Sequence, residues 1–404
     1  MTDTKSHTET ILFGAFDRHN FGDLLFPHIA AAMLPGRHLR FAGLAESDMR
    51  EYGGHEVEAI STLIDLCGEQ PVDIVHVGGE LLTCDAWQAA VMLSSTRRAK
   101  SVINERAAWL WVPLQWADEH LGIATRAPYV LSRAYFANTR RLAFNAIGGV
   151  ELDRCEASMR AEVIESLKTA DDITVRDIIT QETLEAQGIA TRLLPDPAVM
   201  VAELFGDLIR SRWEGEAVSI IRHTCPNGYI AVQFSADFSD DRTLDQIAAQ
   251  LDEAAKAHGL GVAFFCAGIA PWHDDQEVFE RTRERMRTPA VQILTSSNVW
   301  DICALIAGSS VYCGSSLHGR IVAAAFGLPR VNIRHPASTS GRSKQQAFAD
   351  TWEEPDMPGE VGIDELARGV DAAVRMDPAR LERIAGALVR TYQEGFARVS
   401  AQLA

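Results

Sequence analysis

The chain has 404 residues, 47% hydrophobic and 23% charged, and a formal net charge of −17 at pH 7. That length exceeds what one hydrophobic core serves and predicts two domains of roughly 200 residues each. The acidic balance, with no basic stripe interleaved with aromatics, excludes nucleic acid as a partner, and no run approaches the ~20 apolar residues of a membrane span.

The seven cysteines, at positions 67, 84, 155, 225, 266, 303 and 313, include no Cys-x-x-Cys pair. An odd, scattered set reads as reduced thiols. No apolar signal core follows the polar start from Met1 to Thr10, so the expected location is the cytoplasm. Peripheral docking at a membrane and a homo-oligomer both stay open. No His/Cys/Asp cluster has metal-ligand spacing, so neither a metal nor another cofactor is expected.

In chain order, Ile11 to Phe16 reads as a short strand, followed by Asn20, Gly22 and Asp23 and a helix from Leu24 to about Met33. A strand, a glycine-bearing turn and a helix open a βαβ unit and place these residues where such folds bind ligands; capping of the helix is the other role open to Asp23. A second strand, Val72 to Val77, runs into Gly78, Gly79 and Glu80, where paired glycines let a ligand approach the backbone or simply make a tight turn. Trp87, Trp109, Trp111 and Trp116 make an aromatic-rich stretch that suits packing more than stacking on sugar rings.

Leu121 to Val150 contains no acid, and its strand ends in Gly148 and Gly149. The strand Asp172 to Asp177 carries Arg176 near its end, and Asp196 is fixed between Pro195 and Pro197. The loose stretch from Trp213 to Gly228 reads as a linker. A second alternation follows, with strands at Tyr229–Ser235, Gly261–Cys266 and Val291–Leu294 and helices between them. The fold class is therefore α/β with mainly parallel sheets. The expected domains are residues 1–213, residues 214–375 (the anion side) and a helical tail, residues 376–404, whose last helix crosses back to the first domain.

The most informative stretch is Ser309 to Pro329. Ser309 to Cys313 reads as a strand, Gly314 to Ser316 as a turn able to cap a helix, and Ile321 to Phe326 as an apolar helix closed by Gly327. Such a turn offers free N–H groups and the positive end of a helix dipole to an anion, and His318 in the first helical turn adds a side chain suited to proton transfer. No Asp or Glu lies between Asp301 and Asp350, whereas Arg320, Arg330, Arg334, Arg342 and Lys344 all do. In so acidic a protein this window is expected to form a cationic pocket.

Taken together, Asn20-x-Gly22-Asp23, Val77-Gly78-Gly79-Glu80, Asn145-Ala146-Ile147-Gly148, Val175-Arg176-Asp177, Asp196 and Ser316-Leu317-His318-x-x-Ile321-x-Ala323 resemble the polysaccharide pyruvyl transferase family over roughly residues 11–345. The resemblance implies two Rossmann-like domains facing across a cleft, as in glycosyltransferases of the B type. It implies transfer of pyruvate from phosphoenolpyruvate to a glycan or lipid-linked saccharide as a ketal, His318 as the acid–base residue, and arginines on the donor. The chain departs from the pattern at Ser316, where some members carry Arg. Donor contacts then fall to Arg320, Arg334 or Arg176, with Ser315 and Ser316 at the turn, or the donor differs. The acceptor's base is Asp23, Asp196 or Glu80. Two other readings remain: a glycosyltransferase using a nucleotide sugar, and a non-catalytic glycan-assembly protein.

Overall fold

The computed structural model describes residues 8–95, 98–99, 113–271, 273–337 and 343–403. Trp109, Trp111 and Arg342 lie outside the described residues. The chain divides into two compact units. Unit one takes in the residues up to His19, Phe26–Pro197 and the chain from Tyr392 onward; unit two takes in Asn20–Leu25 and Ala198–Thr391.

Unit one is built on eight strands: β1 (Glu9–Phe13), β2 (Leu39–Gly43), β3 (Ser47–Asp48), β4 (Glu56–Ala59), β5 (Val72–His76), β6 (Thr139–Ile147), β7 (Asp172–Val175) and β8 (Arg192–Leu193). Their order is β3-β4-β2-β1-β5-β6-β7-β8, parallel except for the β3–β4 pair. Every residue of β5 is buried, as a strand covered by helices on both faces requires. The strand order reverses between β1 and β5, and ligands of open α/β sheets bind at such points, beyond the carboxyl ends of the strands. The end of helix Pro378–Leu403 belongs to this unit: the Asn145 side-chain nitrogen donates to the Tyr392 hydroxyl at 2.9 Å, and Leu194 packs against Gly395.

Unit two carries six parallel strands, β9 (Tyr229–Gln233), β10 (Gly261–Phe264), β11 (Val291–Ile293), β12 (Val311–Gly314), β13 (Arg330–Ile333) and β14 (Glu360–Val361), in the order β11-β10-β9-β12-β13-β14. Here the order reverses between β9 and β12. Its core joins Ile230, Val232, Phe234, Phe264, Phe279, Val311 and Val331 to the apolar face of helix Asp241–His258. Among the described residues no helix is long and apolar enough to cross a membrane.

Two sequence-based boundaries shift for identifiable reasons. The first helix runs Phe21–Met33 rather than from Leu24, because Asn20 opens it: its side-chain oxygen accepts from the Gly22 N–H at 3.3 Å and its carbonyl from the Leu24 N–H at 3.0 Å. Asp23 therefore sits inside the first turn and is not the cap. The unit boundary falls at Pro197/Ala198 rather than 213/214, because helix Val201–Trp213 packs within unit two. Phe205 lies 5.0 Å from Trp300 and Trp213 stacks 6.3 Å from Tyr229. Trp87 and Trp116 pack against Val91 and Ala99, which is the packing role.

Candidate functional site

In unit two the site starts at the carboxyl end of β12. The Ser316 Oγ accepts from the Gly319 N–H at 3.2 Å and so caps helix Leu317–Ala325, worth about 1 kcal/mol for such a cap. The Tyr312 hydroxyl donates to the Ser316 carbonyl at 3.0 Å. Its ring occupies space that Gly319 leaves open, since a Cβ there would fall 2.4 Å from it. The Ser315 Oγ accepts from the Ser235 N–H at 3.1 Å, and Gln345, in the first turn of helix Lys344–Trp352, donates to the Ser315 carbonyl. Two helix N-termini thus converge at Ser315, an arrangement suited to an anion.

His318 is 8% exposed, at the start of the capped helix. The Asn20–Gly22 segment lies directly on it. A Cβ added to Gly22 would fall 1.9 Å from the His318 Nδ1, so only a residue without a side chain lets the imidazole rest there. The Phe21 ring meets the imidazole edge-on at 6.2 Å. The segment is held in turn by the loop after β10: the Phe21 N–H donates to the Ala267 carbonyl at 2.8 Å, and Asn20 forms an antiparallel bridge with Gly268. Asp23, 6% exposed, lies in the same turn. Two motifs almost 300 residues apart in sequence form one site.

The expected cationic pocket is smaller than the sequence suggests. Arg320 is completely buried. Its Nε and one terminal nitrogen hold Glu353, the other bonds Asn332 at 3.1 Å and the Gly359 carbonyl at 3.5 Å, and Pro358 accepts at 2.8 Å. All its donors are satisfied internally, which removes it as a donor-binding residue. Arg330 is buried against the same carboxylate at 2.8 Å. Burial pushes the Glu353 carboxyl up, but Arg320 and Arg330 outweigh this and hold it below the usual carboxylate range. Arg334 and Lys344 are exposed, so these two remain as cations at this end of the sheet.

In unit one the predicted residues gather at the carboxyl ends of β5 to β8. Gly78 and Gly79 have φ of +124° and +103°, open to glycine but strained for other residues. The Gly148 N–H donates to the Gly79 carbonyl at 2.8 Å. Arg176, 1% exposed, donates to Asp196 at 3.0 Å and to Glu80 at 2.5 Å. Burial works against its charge, but Glu80, Asp196 and Asp177 together raise its pKa above the ordinary guanidinium value. Arg176 is thus neutralised within the unit, a second correction to the expected donor contacts. Of its two partners only Glu80 reaches the surface, with 24% of its side chain exposed against 0% for Asp196. One arginine among three carboxylates leaves this edge acidic, suited to accept hydrogen bonds from hydroxyls rather than to hold an anion.

Ala146 lies in the Asn145–Gly148 motif, whereas Glu353, Gln233 and Asp274 were not singled out from sequence. Ala146 has φ +46°, an uncommon value for a residue with a side chain, at the irregularity in β6 beside fully buried Asn145. Glu353 stands just past the acid-free window. Gln233 and Asp274, at the ends of β9 and beyond β10, hydrogen-bond each other at 2.8 Å.

The solved structures most like this chain include the UDP-GlcNAc 2-epimerase of Methanocaldococcus jannaschii, with a TM-score of 0.55, 10% identity, and coverage of 95% of this chain and 99% of that one. The UDP-GlcNAc 2-epimerase of Neisseria meningitidis bound to UDP-GlcNAc has a TM-score of 0.51 at 9% identity, covering 96% of this chain and 100% of that one. The N-terminal domain of Candida albicans trehalose-6-phosphate phosphatase has a TM-score of 0.51 at 10% identity, covering 98% of each. At such identities the likeness establishes the fold alone: two Rossmann-like units of the glycosyltransferase-B-like class. No curated protein shows significant sequence similarity to the chain. The family model described as polysaccharide pyruvyl transferase matches residues 132–336, just over half of the sequence, from Ser132 ahead of β6 to the residues after β13, and takes in Arg176, Asp196 and the Ser316–His318 turn. The chain belongs to the polysaccharide pyruvyl transferase family.

Proposed function

We propose that the protein transfers pyruvate from phosphoenolpyruvate to two hydroxyls of a saccharide, forming a ketal and releasing phosphate. The observation that supports this reading most directly is the seating of His318 against Gly22 at a capped helix N-terminus, within a chain of this family. One acceptor hydroxyl adds to C2 of the enol, and C3 takes a proton and becomes a methyl group. The C2–O bond to phosphate then breaks, the second hydroxyl bonds to C2, and its proton leaves with the phosphate. His318 supplies the proton to C3, since an imidazole can give and recover one near neutrality. The helix N-termini at Ser315 and Ser316, with Arg334 and Lys344 nearby in sequence, receive the donor's phosphate and carboxylate. Asn20, Gly22 and Asp23 complete the wall around the imidazole.

In this reading Gly78, Gly79, Glu80 and Asp196 serve the saccharide, and Glu80, the partly exposed carboxylate among them, receives one of its hydroxyl protons. The acceptor is a glycan or a lipid-linked saccharide in the cytoplasm.

The test is calorimetric titration with phosphoenolpyruvate of the wild type, His318→Gln and Arg334→Ala, with UDP and UDP-GlcNAc as controls. The reading expects phosphoenolpyruvate to bind the wild type and His318→Gln alike, and phosphate to be released with candidate saccharides only by the wild type. Binding of the nucleotide ligands alone would transfer the assignment to a sugar-nucleotide enzyme.

A further inference from the structure

Beyond the motif residues, the His318 site depends on a pair of buried polar side chains. Gln233, at the end of β9, is 3% exposed. Its backbone carbonyl accepts from the Ser315 N–H at 3.0 Å, which ties it to the turn before His318. Its side-chain nitrogen donates to one oxygen of Asp274 at 2.8 Å, and the Ala267 N–H donates to the other at 2.6 Å. The Asp274 N–H closes the loop on the Gly268 carbonyl at 3.0 Å. Ala267 and Gly268 are the two residues that hold Phe21 and Asn20 in place. The connection therefore runs from Ser315 through Gln233 and Asp274 to the segment lying on the imidazole.

We propose that Asp274 is a positioning residue: with Gln233 it latches Ala267 and Gly268 in the arrangement that seats Asn20–Gly22 against His318. The proposal takes from the functional reading only that His318 is the working side chain. An unused acceptor completes the argument. The Gln233 Oε1 is buried and makes no hydrogen bond among the described residues. Exchanging the amide O and N would let a neutral carboxylic acid at Asp274 donate to that oxygen, and the Gln233 Nε2 would then take the unpaired position. Burial favours that neutral form and pushes the Asp274 carboxyl up to about 7, against the hydrogen bonds from Ala267, Gln233 and Gly268 that favour the charge.

The sign follows from linkage. A carboxyl that binds its proton more tightly in the latched state stabilises that state when protonated, and the stabilisation is lost as pH rises through the latched pKa. Other groups facing Asp274 are Cys266, pushed up to about 12, Tyr312, raised well above its ordinary value, and the adjacent Asp275 and His273. Cys266 and Tyr312 do not titrate near neutrality. The adjacent Asp275 and His273 are separated by substitution at position 274 alone.

Hydrogen exchange of the whole chain, read on peptides covering Asn20–Leu24 and Ala267–Asp274 and corrected for intrinsic rates, tests this without any substrate. In the wild type, protection should fall about tenfold between about pH 6 and about pH 8, the ratio set by a latched pKa near 7. Asp274→Asn, which keeps a neutral donor for Gln233, should stay protected at both values. Asp274→Ala and Gln233→Ala should lose protection at both while the core strands of unit two stay protected. Equal protection of these peptides in wild type and both alanine variants overturns the proposal. A tenfold fall that persists in Asp274→Asn assigns the titration to another group and overturns the role of this carboxyl. Because no ligand is needed, a failure of phosphoenolpyruvate to bind leaves this test standing.

Discussion

Gly22→Ala is the sharpest perturbation of the proposed site. The added Cβ would lie 1.9 Å from Nδ1, 2.0 Å from Cγ and 2.6 Å from Cε1 of His318, where ordinary contact needs about 3.4–4 Å. The imidazole is 8% exposed and flanked by Phe21, so the ring or the Asn20–Gly22 segment must move by more than 1 Å, roughly, to restore contact distance. Overpacking of this size costs about 1–3 kcal/mol, or about 2–4 °C in Tm for each kcal/mol in a unit of this size. The effect on chemistry should be larger than the effect on stability, because a displacement of about 1 Å in a catalytic group costs on the order of a hundredfold in rate. The assay pairs a thermal melt with phosphate release from phosphoenolpyruvate in the presence of a working acceptor. A variant with wild-type turnover would show that the imidazole does not act from this position, and the argument built on the Gly22 contact would fail.

Glu353→Gln leaves Arg320 and Arg330 buried with their charges uncompensated and should destabilise the chain by about 3–5 kcal/mol in chemical denaturation, a loss that a merely exposed ion pair would not give. The same carboxyl predicts an acid limb. Its pKa is held below the ordinary value by the two arginines despite burial, so its stabilisation is present above the unfolded pKa and disappears as pH falls through the folded one; the wild type should lose this component on acidification and Glu353→Gln should not. Ser316→Ala removes the helix cap and should cost about 1 kcal/mol, measured by the same denaturation. Gly148→Ala would place a Cβ 2.6 Å from the Glu80 Oε2 and 2.7 Å from the Arg176 Nε; it should weaken saccharide saturation while leaving phosphoenolpyruvate titration unchanged. Arg334→Ala should weaken phosphoenolpyruvate by only a few-fold, since an exposed charge contributes about 0.2–1 kcal/mol, and calorimetry that finds binding abolished would place the donor's main contact at Arg334 instead.

Local signals carried the reading of the fold. The strand–turn–helix of Val311–Ala325 was legible because its cap, its apolar run and the closing Gly327, at φ +63°, are neighbours in sequence. The alternation of short apolar strands with helices likewise announced parallel sheets. What sequence could not supply was pairing at a distance. Arg320 and Arg330 looked available because no acid stood near them, yet Glu353, 33 residues beyond Arg320, folds back onto both. Arg176 reads as half of a charged pair with Asp177 at a strand end until Glu80 and Asp196 arrive from beyond β5 and β8. Asn20–Leu25 reads as part of the first βαβ unit, but the Phe21 and Asn20 backbone pairs with Ala267 and Gly268 and so belongs to unit two. Gly22 was legible as a motif glycine, but the reason that only glycine serves there appears when His318 is beside it.

The charge pattern has a further consequence. A chain at −17 holds anions poorly in general, and an acid-free window of five cations seemed to answer that need. Two of the five are spent inside unit two, on a single carboxylate, and hold together the segment between Arg320 and Pro358. Their burial is therefore a structural device: it pins the helix that bears His318 to β13 and to the chain before β14. The remaining attraction for an anion at this edge comes from groups that carry no full charge, the N–H groups and dipoles of the helices beginning at Leu317 and Lys344, helped by exposed Arg334 and Lys344. Backbone dipoles fixed by a cap and by the Gln345–Ser315 contact need no reorganisation when a ligand arrives, and that preorganisation is what electrostatic stabilisation of a developing charge requires. In unit one the charges are arranged differently: Arg176 is bonded to Glu80 and Asp196, with Asp177 close by. Two sheets of like construction thus carry different groups at their carboxyl ends, capped helix N-termini in unit two and an arginine bonded to carboxylates in unit one, and the difference lies in a handful of turn residues.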